Sequence, residues 1–265
     1  MVVDDGQAGR VDPAESAGIR SLLSIITGNR TRVAAVIGHL ASRTPVTADQ
    51  RAAVHLTRVT RLFDGLAAVS QVSLEIARGE TVWLRGWNGS GKTTLLRLIA
   101  TAISPTFGGG SVLGFDLRTE RSAIRAGTDL LSHETRLYGD LTARENLRFA
   151  CTLYDLDPRL AGPALERVGL EEVAAVRADH FSQGMRQRLA LARCLMRAPA
   201  LILLDEPYAA LDADARVVVD ELLITARAGV QTVVVASHEA PPARLIDREV
   251  TMDGGRVITP AGVAP

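Results

Sequence analysis

The chain has 265 residues, 47% of them apolar and 23% charged, with 30 basic and 30 acidic side chains and a formal net charge of zero. That length suits one full domain, or a domain with a subdomain and an extension, and the apolar share suffices for a large core. The charge balance argues against a protein that wraps nucleic acid along its phosphates, so no nucleic-acid partner is expected.

Residues 1–50 read as an N-terminal extension, polar and disordered at first. Ile19, Leu22, Leu23 and Ile26, then Val33, Val36, Ile37 and Leu40, recur at helical spacing on either side of Gly28-Asn29. The pattern predicts an amphipathic helix or helix pair. It would pack on the domain, or lie on a membrane or permease with Arg20, Arg30 and Arg32 at the headgroups. The opening segment MVVDDGQAGRVDPAE is acidic and lacks the basic-then-apolar order of a signal peptide. No apolar run approaches the ~18 residues of a membrane span.

The main domain is expected over residues 51–258, with a tail at 259–265. VHLTRV (54–59) and VSLEI (72–76) alternate as strands, and TVWLR (81–85) runs apolar into a glycine-rich loop. A helix follows through Leu95, Leu96, Leu98 and Ile99. Gly108-Gly109-Gly110 reads as a turn, SVLGF as a short strand and residues 127–131 as another strand. Residues 140–178 switch to helices and form a helical subdomain. There Thr142 and Glu145 make a T-x-x-E capping box before NLRFACTLY, and PALERVGL and EEVAAV follow. Leu201–Leu204 and Thr232–Ala236 read as buried strands, residues 213–227 as a helix, and 249–258 as short strands around Asp253-Gly254-Gly255. Strands alternating with helices imply an α/β fold with a mainly parallel sheet. Cys151 and Cys194 stand outside any C-x-x-C pattern and read as small apolar helix residues.

The glycine-rich loop is Gly86-Trp87-Asn88-Gly89-Ser90-Gly91-Lys92-Thr93, and Lys92 is the only lysine in the chain. It follows a strand and opens a helix, the setting in which G-x-x-x-x-G-K-[ST] cradles phosphates. The glycines let backbone N–H groups approach phosphate oxygens, and the helix N-terminus adds partial positive charge. Asn88, Ser90 and Thr94 belong to the same cradle. Lys92 would reach the terminal phosphates of ATP, and Thr93 a Mg²⁺ ion bridging phosphate oxygens. Farther on, Leu201–Leu204 delivers Asp205 and Glu206 to a strand's carboxyl end, where ligands collect on open α/β sheets. Asp205 is a candidate for the Mg²⁺ shell, and Glu206 for the base that takes a proton from the attacking water.

Phe181-Ser182-Gln183-Gly184-Met185 precedes RQRLALARCLMRAPA just ahead of that strand. Here the chain resembles the ABC ATPase family, whose signature reads LSGGQ at this place; the resemblance covers about residues 54–258. It implies a P-loop NTPase core, an antiparallel β layer near 54–77 and a helical subdomain. It further implies that Ser182 and Gly184 bind the γ-phosphate of ATP held by an opposite subunit, so that the sites complete in a homodimer or an ATPase pair. Ala210, Leu211 and Asp212 match the loop that couples the two sites, His238 the switch histidine at the γ-phosphate, and Phe63 the aromatic that stacks on adenine. An ordinary core role for Phe63 is the alternative.

Two departures stand out. His133 occupies the place of the family's glutamine at Mg²⁺ and the attacking water, and imidazole ligates Mg²⁺ less readily when protonated. Gln183 and Met185 replace Gly and Gln of the signature, for which retuned turnover is expected. His133, LYGDLTARENLRF and SQGMRQRLALAR together resemble the ATPase of heme exporters in cytochrome c maturation. That likeness implies integral-membrane permease partners and a peripheral place on the cytoplasmic face of the cell membrane. Drug or lipid exporters share much of the pattern. A soluble ABC ATPase, an ATP-locked scaffold and another P-loop kinase or GTPase are the remaining alternatives.

Overall fold

The computed structural model describes residues 52–132, 134–209 and 213–258, with the side chains of 213–215 excepted. The extension 1–50 with its candidate helices, the tail 259–265, and His133, Ala210, Leu211 and Asp212 lie outside the described residues.

Two strands open the fold. β1 (Ala52–Phe63) turns through Asp64 and Gly65, both at positive φ, into the antiparallel β2 (Leu66–Ala77). Next come β3 (Thr81–Arg85), α1 (Lys92–Ile99), β4 (Phe107–Val112), β5 (Phe115–Asp116) and α2 (Arg121–Gly127). β4 pairs with the free side of β1, giving a four-stranded antiparallel sheet in the order β2-β1-β4-β5.

The expected turn at Gly108-Gly109-Gly110 is therefore incorrect: the glycines lie within β4, and the chain reverses at Leu113 and Gly114. The reason is close approach. Gly108 and Gly110 take positive φ, and a Cβ on either would be driven into a carbonyl oxygen of β1, that of Arg58 or His55.

A second sheet has six strands in the order β10-β9-β3-β8-β7-β6, parallel from β9 through β6. Its other members are β6 (Thr128–Leu131), β7 (Leu201–Asp205), β8 (Thr232–Ser237), β9 (Arg248–Asp253) and β10 (Arg256–Ile258). Along β7 and β8 successive side chains enter opposite cores. Leu201, Leu203, Val234 and Ala236 join α1 and the antiparallel sheet, whereas Ile202, Leu204, Val233 and Val235 join the helical layer. A sheet buried on both faces needs unbroken apolar strands, and LILL and VVVA supply them.

The helical layer consists of α3 (Ala143–Leu153), α4 (Ala161–Arg167), α5 (Gln183–Arg197) and α6 (Ala213–Ala228). Thr142 and Glu145 make the reciprocal capping box at α3. EEVAAV, expected as a helix, is a run of turns instead. Its carbonyls serve a neighbour: Ala143 N–H donates to Val176 O and Arg144 N–H to Ala174 O, satisfying first-turn donors of α3. Cys151 and Cys194 are both buried and free, and burial pushes the Cys194 thiol well above its usual range.

Arg197 ties the helical layer to the sheet. Nearly buried, it donates to Thr128 O, Arg125 O and Ala126 O, each at 2.7 Å, and its guanidinium lies 4.1 Å from the Tyr154 ring centre. Arg197→Met keeps the apolar stem and orphans those carbonyls, so it should cost about 3 kcal/mol of stability. Urea unfolding monitored by circular dichroism checks this; a loss below about 0.5 kcal/mol would mean that water replaces the guanidinium.

Candidate functional site

β3, β8 and β7 are adjacent strands of the parallel sheet, so the segments leaving their carboxyl ends emerge side by side. From β3 comes the phosphate loop. Gly86 is buried, and a Cβ there would meet Met252 O and Ser90 Oγ at 2.5 Å each; Gly91, at φ 101°, abuts Ala68 O and leads directly into α1. Asn88 and Gly89 are exposed on the outer turn, Ser90 is buried, and Thr93 and Thr94 are half-buried at the start of α1. First-turn N–H groups of a helix lack intrahelical acceptors and face whatever lies before it.

The Lys92 side chain folds back along its own loop. Its Nζ donates to Gly86 O at 2.7 Å and Trp87 O at 3.2 Å, and lies 3.3 Å from Glu206 Oε1 in an ion pair without hydrogen-bond alignment. Lys92 is only 5% exposed, so the ammonium depends on those oxygens. Thr93 Oγ1 donates to Asp205 Oδ1 at 2.9 Å, bringing the two expected Mg²⁺ ligands together from α1 and β7.

Glu206 has φ 50°, a left-handed conformation costly for a side-chain-bearing residue, and its N–H donates to Ala236 O at 2.7 Å. That turn aims its carboxylate at Lys92 on one side and His238 on the other. His238 Nδ1 lies 2.9 Å from Glu206 Oε2, and the His238 N–H donates to the same oxygen at 3.4 Å. Lys92, Thr93, Asp205, Glu206 and His238 thus form one contiguous cluster.

The other expected residues lie apart from it. Phe63 ends β1 at 44% exposure with the Arg61 guanidinium 4.5 Å over its ring, so it is no core phenylalanine. Ser182 caps α5, accepting from Met185 N–H at 3.2 Å, and a Cβ on Gly184 would meet nothing within 4 Å. Both belong to another element than the phosphate loop, with open surface beside them.

Several supports were not evident in the sequence. The Asp253-Gly254-Gly255 turn does more than close the sheet: Gly255 N–H donates to Ser90 O at 3.0 Å, and Ser70 N–H to Gly255 O at 2.7 Å. Trp83 Nε1 donates to Ser237 Oγ at 3.1 Å, steadying the residue before His238. Tyr208 donates to Asp220 Oδ1 at 2.8 Å; burial first, then that bond, pushes its phenol far above the usual range. The glycine pair was the one visible signal, since consecutive glycines at a strand end often mark a close backbone approach.

The donor set suits Mg²⁺. A threonine hydroxyl and a carboxylate are hard oxygen donors, and their 2.9 Å separation matches neighbouring ligands of an octahedral ion. Among the described residues no group of three or more His, Cys, Asp or Glu gathers as a protein-only cage. Phosphate oxygens and water would complete such a shell.

Comparison with known proteins agrees with this geometry. The family model described as ABC transporter matches residues 69–209. The ABC transporter ATP-binding protein NatA of Bacillus subtilis is 34% identical over 215 residues, covering 77% of this chain and 87% of NatA. The probable multidrug ABC transporter ATP-binding protein YbhF of Escherichia coli is 32% identical over 77% of this chain, which spans only 36% of that longer protein. Among solved structures, the dimeric ATP-binding cassette MJ0796, bound to ADP and Pi in a post-hydrolysis state, superposes with a TM-score of 0.70 at 28% identity. The match covers 77% of this chain and 96% of the cassette. A phosphate cradle, a paired carboxylate and a facing histidine on this sheet, together with those matches, place the chain in the ABC transporter family as an ATP-binding subunit.

Proposed function

We propose that this ABC ATPase works as a pair of copies on the cytoplasmic face of the membrane, where it powers a separate integral-membrane permease that exports heme for cytochrome c biogenesis. The ATPase part of that reading is carried by one observation: Lys92, Glu206 and His238 converge beside the Thr93–Asp205 pair at the sheet's carboxyl edge. Lys92 exchanges backbone carbonyls for phosphate oxygens. Glu206 accepts a proton from water as that water's oxygen attacks the γ-phosphorus; the bond to the β-phosphate oxygen breaks, leaving ADP and phosphate. His238, already against Glu206, faces the transferred phosphoryl group. Mg²⁺ held at Thr93 and Asp205 supplies positive charge to the phosphate oxygens.

Pairing is supported by the position of Ser182 and Gly184. Ser182 is exposed and Gly184 half-buried at the α5 N-terminus, off the Lys92 cluster, as donors serving a partner's nucleotide would be. Asp212 of the coupling loop and Phe63 as adenine platform belong to the same reading. Among the described residues no helix is long and apolar enough to cross a membrane; the permease partner is carried by the family likeness. A contact surface for it is offered by the exposed edge-to-face pair Tyr138–Phe149, with centroids 4.8 Å apart, beside exposed Leu153.

The heme cargo rests on the sequence likeness around His133 and through LYGDLTARENLRF and SQGMRQRLALAR. A drug- or lipid-type export cargo is the second reading, favoured by relatives named for multidrug transport and for Nod factor export.

Lys92→Ala should weaken Mg-ATP binding by at least about 100-fold, measured by titration calorimetry, because it removes the charge-assisted contact to phosphate. Unchanged affinity would contradict the cradle. Glu206→Gln should lower kcat by about 10²–10³-fold and accumulate as an ATP-bound dimer in light scattering; a persistently monomeric variant would count against paired action. Placed at the native locus, the same substitution should abolish heme-stained c-type cytochromes while their polypeptides persist. Unaltered cytochromes would transfer the proposal to the second cargo class.

A further inference from the structure

Arg216 lies near the start of α6, just after the segment 210–212. It grips Glu239 with two prongs, Nη1 to Oε1 at 2.6 Å and Nη2 to Oε2 at 3.1 Å. Glu239 is the residue after His238, whose ring sits 2.9 Å from Glu206. On the other side, Ser237 Oγ donates to Glu239 O at 2.5 Å and accepts from Trp83 Nε1 at 3.1 Å. The peptide carrying His238 is therefore held between β3 and α6.

A second arm reaches the same helix face. Tyr208, two residues beyond Glu206, donates to Asp220 Oδ1 at 2.8 Å, and the Arg216 guanidinium lies 5.9 Å from its ring centre. Arg216 and Asp220 are four positions apart, hence neighbours on one face of α6. With Tyr208, Glu239, Ala240 and Pro242 they line a hollow of about 250 Å³. The segments leaving β7 and β8, which carry Glu206 and His238, are thus moored to one helix turn.

We propose that Arg216 is a positioning residue for ATP hydrolysis: its two-pronged grip on Glu239 sets where His238 stands against Glu206. The inference rests on the ATPase reading above. Arg216 makes no hydrogen bond or ion pair with Lys92 or Glu206, so its grip on Glu239 acts through the backbone of residues 238–239. A planar guanidinium on a carboxylate fixes direction as well as distance, which a lysine cannot do. Both partners are half exposed, at 42% and 47%, so the pair contributes little to folding. What it holds is geometry, and small misplacements of reacting groups are costly in rate.

The test compares steady-state kcat, KM for ATP and the thermal midpoint of the full chain with those of Arg216→Ala, Glu239→Gln and the double variant. Each single change should lower kcat about tenfold and leave KM within about twofold. The midpoint should move by no more than about 3 °C. The double variant should be no slower than the slower single one, because both remove one grip. Arg216→Lys should recover only part of the rate. An unchanged kcat in Arg216→Ala, additive losses in the double variant, or a rate loss that tracks the midpoint would overturn the proposal. A full chain no faster than its Glu206→Gln variant would take the ATPase reading down with it.

Discussion

A lysine ammonium with almost no access to solvent is the constraint around which the site is built. Gly86 O, Trp87 O and the Glu206 carboxylate surround the Lys92 Nζ and replace the water it lacks. Two of those oxygens come from the loop after β3 and the third from the end of β7, with β8 between them. At roughly 4.8 Å per strand, three adjacent strand ends fall within about 10 Å. Only strands aligned in parallel release all three loops at one edge, so the sheet's direction and the lysine's burial are one requirement. The left-handed turn at Glu206 belongs to it as well: extended backbone there would continue β7 past the lysine instead of turning the carboxylate onto it.

Burial on both faces keeps β7 and β8 apolar from Leu201 to Leu204 and from Val233 to Ala236, up to that edge. β7 and β8 divide their side chains between two cores, so nothing polar fits along their length without losing packing on one side. The first carboxylate that can appear is at the strand end, and Asp205 takes that position, with Thr93 across from it. Elsewhere the same exclusion makes a buried charge expensive. Arg197 is tolerated because three backbone carbonyls accept its N–H groups, the buried Asp129 carboxylate stands 3.7 Å away and the Tyr154 ring faces it.

The phosphate cradle and the carboxylate strand were legible in the sequence because their chemistry imposes residue identity at fixed spacing. The strands β7 and β8 were legible because two-sided burial demands apolar runs. What eluded sequence reasoning depends on partners far along the chain. Gly108–Gly110 look like turn residues by type, and only the approach of β1 makes them strand residues. EEVAAV has helical composition, yet its carbonyls serve better as acceptors for the first turn of α3 than within a helix of their own. Arg216 and Glu239 are ordinary surface charges until α6 packs beside β8. Phe63 shows the converse: its type alone left core and surface open, and its exposure decides against the core.

The segment between β6 and α3 links the sheet's carboxyl edge to the helical layer, and it is tied at more than one place. Arg193 of α5 donates to Thr135 O at 3.2 Å and Arg136 O at 3.3 Å. Farther on, the buried Asn146 side chain accepts from Tyr138 N–H at 2.9 Å and donates to Tyr138 O, Leu141 O and Thr142 O. Position 133 opens that segment, and the exposed Tyr138–Phe149 pair lies at its far side. The backbone of the described part of this segment is thus bonded to α5 through Arg193 and to α3 through Asn146.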